Sequence, residues 1–293
     1  MDMSKEVSMV AGGKPCKLCG RDNGALSIHF PSYIFRSGDF EAPEWSEHTK
    51  YYCPYCEFLW ADTFDDLSLA DYGKSYVNAN YDRHRVPAEE RMKRAPVLLR
   101  ELAALTNGAR FIDYGVGYNV PYIYELRGRG VDLWGCDISA MVPYSRFVRY
   151  LPAKDLPVGT FDGLYSIDVA EHLSDVVNDY LAMKELLRPG GYMLHVTYWL
   201  HALWNPELGP PFNPMLRNPW HVSLCSEKTM HVIAELAGLD FVKSIKADVG
   251  PGTAYLLKKR GGTEPKSRWY DRFRKNPIAS SVDEHMEYVR KWY

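Results

Sequence analysis

From Pro87 onward the apolar residues fall into two alternating rhythms. Met92, Ala95, Leu98, Leu99, Leu102 and Leu105 recur at helical steps, which predicts one amphipathic helix over 87–106, ended by Asn107-Gly108. Apolar runs of strand length follow: Phe111-Ile112, Val131 to Leu133, Phe161 to Asp168, and Tyr192 to Thr197. Helices are predicted between them, around Tyr122 to Leu126 and from Asp175 to Leu187, with a brief helix and a strand over 147–151 inside 139–160. Ser226 to Gly238 reads as a last helix with serine as its N-cap and glycine as its C-cap. Two antiparallel strands, Leu239 to Asp248 and Thr253 to Lys259, close the pattern. Strands alternating with helices predict an α/β fold with a doubly wound sheet.

Outside this stretch the pattern changes. Residues 1–13 are polar and end in Gly-Gly, predicting a disordered tail; 14–60 carry four of the six cysteines; 61–86 form a tyrosine-rich connector with Tyr72, Tyr76, Tyr81 and the run Arg83-His84-Arg85. After Gly261 a basic and aromatic tail over 261–293 ends in a helix-like run, Val282 to Trp292, read as a solvated helix packing its aromatics on its own domain or as a binding segment. At 293 residues the chain has room for one large domain and a small one. A formal net charge of −2 supplies no global field for nucleic acid or an anionic membrane, which argues against either as the main partner. No apolar run reaches the length of a membrane span, and Met-Asp-Met-Ser-Lys-Glu lacks the core of a signal peptide, so a cytoplasmic location is expected.

In a reducing compartment, paired cysteines point to metal rather than disulfides. Cys16 and Cys19 form one Cys-x-x-Cys turn, Cys53 and Cys56 a second, and two such knuckles complete a tetrahedral zinc site. The competing reading is a redox pair, but redox motifs come singly on a thioredoxin-like unit, and no such unit surrounds either turn. With cysteine at all four positions the site is closed to solvent ligands, and its zinc would be structural. A segment this short lacks a core of its own, which zinc can replace. Cys136 and Cys225 stand alone and read as small core residues.

The stretch Arg110 to Asp137 carries the other candidate chemistry. Asp113 stands where a strand stops, Gly115 and Gly117 turn the chain into a helix, and Asp137 ends the next strand twenty residues beyond Gly117. Such a turn lets backbone approach a ligand, and the distal acid can hold two ribose hydroxyls. Nicotinamide dinucleotide sites share that outline, but they need a third glycine where Val120 stands. A carboxylate at Asp113 would also repel phosphate and suit a cationic amino-acid ligand. The pattern fits a nucleoside that carries an amino acid.

On these residues the chain resembles the class I S-adenosylmethionine-dependent methyltransferases, whose first motif is strand, Asp-x-Gly-x-Gly, helix. The resemblance covers about Pro87 to Arg260 and takes in Ser166-Ile-Asp168-Val-Ala-Glu171-His172-Leu and Leu187-Arg-Pro-Gly-Gly191. It implies a Rossmann-like sheet and an S-adenosylmethionine site at Asp113, Gly115, Gly117, Asp137, Ile138 and Asp168. It also implies that Glu171 and His172 hold or deprotonate the acceptor, the alternative being that they only cap the following helix. A histidine suits proton removal near neutral pH. His221 aligns with a family histidine that is a second base or a structural donor. Asn119 stands where the family often has a third glycine, and Pro152 where it often has an acid near the adenine.

Small-molecule methyltransferases with an N-terminal zinc module, some sugar C-methyltransferases among them, look similar in the connector, which there helps close the substrate cleft. The aromatic, proline-rich stretch Tyr198 to Leu224 is placed to be an acceptor pocket or lid, or else core for an irregular loop. The implied function is methyl transfer to a small-molecule acceptor: a sugar, a nucleotide-sugar or a secondary metabolite. Two other classes stay open, an NAD(P)-dependent oxidoreductase or epimerase and a non-catalytic zinc-containing binding protein. The oligomeric state is not legible.

Overall fold

The computed structural model describes residues 7–12, 14–21, 24–32, 36–37, 40–41, 46–68, 71–73, 75, 87–106, 110–117, 120–138, 146–150, 156–209, 211, 213–246 and 252–261. Asn107-Gly108, Asn119, Pro152, the connector's Tyr76, Tyr81 and Arg83 to Arg85, and the tail from residue 262 lie outside them. The first part of the chain gives strands β1 (Ser8–Ala11), β2 (Leu26–Phe30), β3 (Arg36–Ser37), β4 (Phe40–Glu41), β5 (His48–Cys53) and β6 (Phe58–Trp60). Next come helix α1 (Pro87–Thr106), β7 (Arg110–Tyr114), α2 (Val120–Gly128), β8 (Asp132–Asp137), β9 (Val148–Tyr150) and β10 (Phe161–Ile167). A 3-10 turn (Ala170–His172), α3 (Val176–Leu186), β11 (Leu187–Tyr198), α4 (Leu200–Leu203), a second 3-10 turn (Pro206–Leu208) and α5 (Pro214–Arg217) follow. The chain continues through β12 (Ser223–Leu224), α6 (Glu227–Ala237), β13 (Leu239–Lys246) and β14 (Gly252–Lys259).

The main sheet runs β13-β14-β11-β10-β7-β8-β9. Its five strands from β11 to β9 are parallel, while β14 is antiparallel to both its neighbours. Period-two side-chain alternation divides the core between its faces. Phe111, Tyr165, Leu194 and Leu256 pack with α1 and α2 on one face; Ile112, Leu164, Met193 and Leu257 pack with α3 and α6 on the other. This is the doubly wound arrangement expected. Helix α6 begins and ends at the expected caps: Ser226 and Thr229 form a reciprocal capping box, and Gly238 closes the helix at φ 67°. From β7 the chain steps to β8 and β9, then crosses back to β10 and β11, so the order reverses between β7 and β10. Ligands of open α/β sheets bind beyond the carboxyl ends of the strands at such a reversal.

The second sheet, β1-β2-β5-β6-β12, differs from the expectation at both ends. The start of the chain, predicted to be disordered to residue 13, contributes β1, which pairs antiparallel with β2. Its side chains are mostly exposed, so what holds it is backbone pairing on an open edge, with Val7 buried beside it. That leaves no apolar alternation for a sequence pattern to register. At the other edge β6 pairs with β12, whose two residues lie more than 160 positions later. The cysteine-bearing segment therefore completes its sheet with a strand from the far part of the chain.

Candidate functional site

The glycine turn is pinned by backbone bonds at the end of β8. Gly115 N–H and Val116 N–H both donate to the Cys136 carbonyl, at 2.8 and 3.0 Å. Gly115 has φ 79°, and a Cβ there would come within 2.5 Å of Val169 Cγ2, so only glycine fits between β7 and the start of the turn carrying Glu171 and His172. Gly117 N–H donates to Asp137 Oδ2 at 2.7 Å. Among the described residues, a Cβ on Gly117 would meet nothing within 4 Å. Asp113 is fully buried, one residue before the end of β7. Burial, and then the Asp113 charge, pushes the Tyr122 hydroxyl above its ordinary range. The Cys136 thiol is raised well above its own range by burial first, then by Asp137 and Asp113.

Asp168 follows β10 with φ 53°, a left-handed conformation that costs a non-glycine residue about 1–2 kcal/mol. Its N–H bonds the Val196 carbonyl at 2.8 Å, and its carboxylate lies 3.6 Å from the Arg94 guanidinium of α1. Strain of this kind collects at functional positions. The connector reaches the same region. A Cβ on Gly73 would stand 2.7 Å from the Ile138 carbonyl oxygen, and Tyr72 donates its hydroxyl to the His172 carbonyl at 2.9 Å.

Glu171, His172 and His221 come together although they are separated in sequence: one ligand atom from each lies within 4.8 Å of the others. His172 Nδ1 is 2.7 Å from the Trp220 carbonyl, and His221 Nδ1 is 2.8 Å from the Met215 carbonyl. A carbonyl only accepts, so each Nδ1 carries a proton, and in a neutral ring Nε2 is then the acceptor nitrogen. Thr197 donates to Glu171 Oε2 at 2.7 Å, and the carboxylate is fully buried. The turn around His172 and Glu171 does not cap α3 with a side chain; that helix starts after Asp175, which makes no side-chain cap bond.

His221 is held from the other sheet. Lys50 on β5, completely buried, donates to the Asn218 and His221 carbonyls at 2.8 Å each. Trp220 stacks on Phe64 with ring centroids 4.3 Å apart, and Trp204 meets Tyr52 edge-on at 5.1 Å. These tryptophans, expected to line a pocket or to serve as core, are buried in packing between the connector, the small sheet and the 198–224 stretch.

Cys16, Cys19, Cys53 and Cys56 are all buried, with sulfurs within 4.8 Å of one another. The Cys16–Cys56 and Cys19–Cys53 separations are 3.5 and 3.7 Å. Sulfurs bound to one zinc ion at ~2.3 Å stand about 3.8 Å apart at the corners of a tetrahedron. The donor set therefore fits zinc, and its spacing is far too long for disulfides. Gly20 and Glu57 follow the second cysteine of their knuckles, both left-handed, at φ 68° and 57°. The two turns share one geometry. Cys136 and Cys225 are buried core residues, as expected.

A cavity of about 370 Å³, lined by Arg110, Arg127, Trp134 and Phe147 among others, opens at the opposite, amino-terminal end of β7 and β8. Arg110 and Arg127 both pair with Asp132 there, which spends their charge within the fold.

A family profile described as a methyltransferase domain matches residues 82–244, more than half of the chain. The chain belongs to the methyltransferase domain family. Its α/β sheet, rich in parallel strands, matches a Rossmann-like methyltransferase fold. The chain is 32% identical over 108 residues to a tRNA U34 carboxymethyltransferase of Azotobacter vinelandii. That alignment covers 31% of the chain and 33% of the relative, so the match spans about a third of the relative's length. Among solved structures it is similar to the 1,6-didemethyltoxoflavin-N1-methyltransferase of Burkholderia thailandensis with bound 1,6-didemethyltoxoflavin and S-adenosylhomocysteine, at 19% identity and a TM-score of 0.47 over 72% of this chain and 99% of that one. An S-adenosylmethionine-dependent methyltransferase from Mesorhizobium loti is 16% identical, with a TM-score of 0.43 over 55% and 96% of the two chains.

Several residues around the site had no motif to mark them. Thr197 was only the end of a strand, and Arg94 a polar position on α1. Lys50 is a buried cation in a strand where alternation gives no warning of it. Tyr72 and Trp220 stood in aromatic stretches, and only the fold separates them from their neighbours.

Proposed function

We propose that this methyltransferase moves a methyl group from S-adenosylmethionine to a small-molecule acceptor, and that the four thiolates hold a structural zinc ion. The observation that carries the cofactor reading is the Gly117–Asp137 bond, which fits a nucleoside laid along the loop. Asp137 would accept from the ribose hydroxyls, and Ile138 would flank the base. Asp113 would attract the ammonium of the methionyl group, while Arg94, beside Asp168, would meet its carboxylate. When bound, the cofactor supplies an electrophilic methyl on a sulfonium. The chain's own part is to hold donor and acceptor in line, which requires the acceptor near the end of β10. Glu171, His172 and His221 serve that acceptor, each imidazole presenting its Nε2 lone pair. Tyr72 and Gly73 close the connector over this region.

A dinucleotide is disfavoured because Val120, 6% exposed at the start of α2, fills the position where a third glycine would admit a pyrophosphate. The Azotobacter relative is named for action on tRNA, which makes RNA the second acceptor class to test. Against it, the net charge of −2 provides no excess of cations for phosphate. Calorimetric titration with S-adenosylhomocysteine, with reduced nicotinamide dinucleotides as controls, tests the cofactor. Micromolar binding of the nucleoside alone is expected, and Asp137→Ala should weaken it by about 1–3 kcal/mol through lost charged hydrogen bonds. Binding of a dinucleotide instead, or of neither ligand, would overturn the reading. Unchanged affinity in Asp137→Ala would remove that residue from the site.

A further inference from the structure

We propose that Glu171, His172 and His221 hold a divalent metal ion and that the acceptor binds through oxygen to this ion. The ion site stands on its own geometry; its role toward the acceptor rests on the methyltransferase reading above.

Two features point to an ion. The first is convergence. Three ligand atoms from a 3-10 turn and a distant loop meet within 4.8 Å. Ligands at ~2.1 Å from one ion stand about 3 to 3.5 Å apart, so small side-chain rotations close the set.

The second is the outer shell. Metal-bound imidazoles donate their other ring N–H to a carbonyl or carboxylate, which fixes the tautomer, and metal-bound carboxylates are themselves hydrogen-bonded. All three groups are arranged that way: His172 and His221 donate through Nδ1 to the Trp220 and Met215 carbonyls, and Glu171 Oε2 accepts from Thr197. Lys50 and Tyr72 brace the backbone on both sides, bonding the His221 and His172 carbonyls.

Two imidazoles and one carboxylate suit Mn, Fe or Zn and leave coordination positions open, unlike the closed set of four thiolates. The turn bearing Glu171 and His172 starts at Val169, which packs on Gly115, so the cluster sits beside the cofactor loop. Open positions there fit an acceptor that chelates: a hydroxyl adjacent to a second hydroxyl or to a carbonyl.

The test uses Mn2+ as probe, because thiolates select softer metals and the cysteine site stays loaded with zinc. The full chain is titrated with MnCl2, and the free-ion electron paramagnetic resonance signal is followed. One tightly held Mn2+ per chain is expected. Glu171→Gln, close to isosteric, and His221→Ala should weaken binding at least 100-fold, and Thr197→Val, which leaves every ligand in place, about 10- to 100-fold. A folded wild-type chain that leaves all Mn2+ free would overturn the proposal and make the imidazoles direct bases. So would equal binding by wild type and Glu171→Gln. S-adenosylhomocysteine calorimetry on the same samples reports folding and the cofactor separately: Mn2+ bound without the nucleoside sinks the methyltransferase reading and leaves the ion site standing.

Discussion

The two sheets are held by different physics. The seven-stranded sheet is covered on both faces, and its longer strands divide their apolar side chains between two cores. The five-stranded sheet is short and carries an exposed edge strand. It is built around four buried cysteine sulfurs that lie within 4.8 Å of one another. Sheets this small bury too little apolar surface to stand unaided. The difference explains where the proposed acceptor residues are. Glu171 and His172 come from the end of a strand in the large sheet, whereas His221 immediately precedes the segment that becomes the last strand of the small one. The cysteine-bearing sheet is a wall of the site rather than an appendage.

The strongest way to break this comparison is to remove a thiolate. Cys53→Ser should release the metal by elemental analysis and withdraw folding free energy on the order of 10 kcal/mol from the small sheet. Hydrogen exchange should then quicken in β5 and β6 while β7, β10 and β11 stay protected. The proposed cofactor loop follows β7 of the large sheet, so S-adenosylhomocysteine affinity should survive. Undiminished metal content would sink the four-thiolate assignment, and uniform loss of protection would make the sheets one cooperative unit.

Acid challenges both sheets at once. Burial holds His48 in β5 near a pKa of about 4 and His195 in β11 near about 3, both below the usual 6.5. For a base depressed by folding, the unfolded chain takes up the proton first. The stability from each group is full above 6.5 and is lost as pH falls toward the folded value. His48 alone is good for up to about 3 kcal/mol. Urea denaturation between pH 7 and 4.5 should show stability falling, and His48→Gln should flatten only the small sheet's share. A stability that rises over that window would contradict both assignments.

What the sequence discloses is what is local. The Gly115–Gly117 turn, the caps at Ser226 and Gly238 and the two cysteine knuckles each sit within a few residues, where φ, spacing and side-chain chemistry leave a direct mark. The strand Ser8–Ala11 was hidden because backbone pairing on an edge imposes no apolar period. Pairing of Phe58–Trp60 with Ser223–Leu224 was hidden because two residues have no period at all. The meeting of Glu171 with His221 depends on that pairing, so the motif could name the residues without showing that they converge. Thr197 and Lys50 carry no motif; burial gives each its meaning.

Lys50 gives the smaller and sharper test, because it joins the small sheet to the loop that carries His221. Its Nζ donates to the Asn218 and His221 carbonyls, so Lys50→Met leaves both without that donor and should destabilise the chain by about 1–3 kcal/mol. Burial also lowers the Lys50 pKa from 10.5 to about 7. Between those values the unfolded chain holds the proton and the folded chain gives it up, so the lysine's contribution shrinks as pH falls from 10.5 toward 7. The deficit of Lys50→Met should therefore be smaller at pH 7.5 than at pH 9.5 in urea denaturation, with the metal retained at both. A deficit independent of pH would mean that the two carbonyls keep the ammonium charged despite its burial. A variant with wild-type stability and an unaltered 213–221 segment by hydrogen exchange would show that the small sheet does not hold His221 at all.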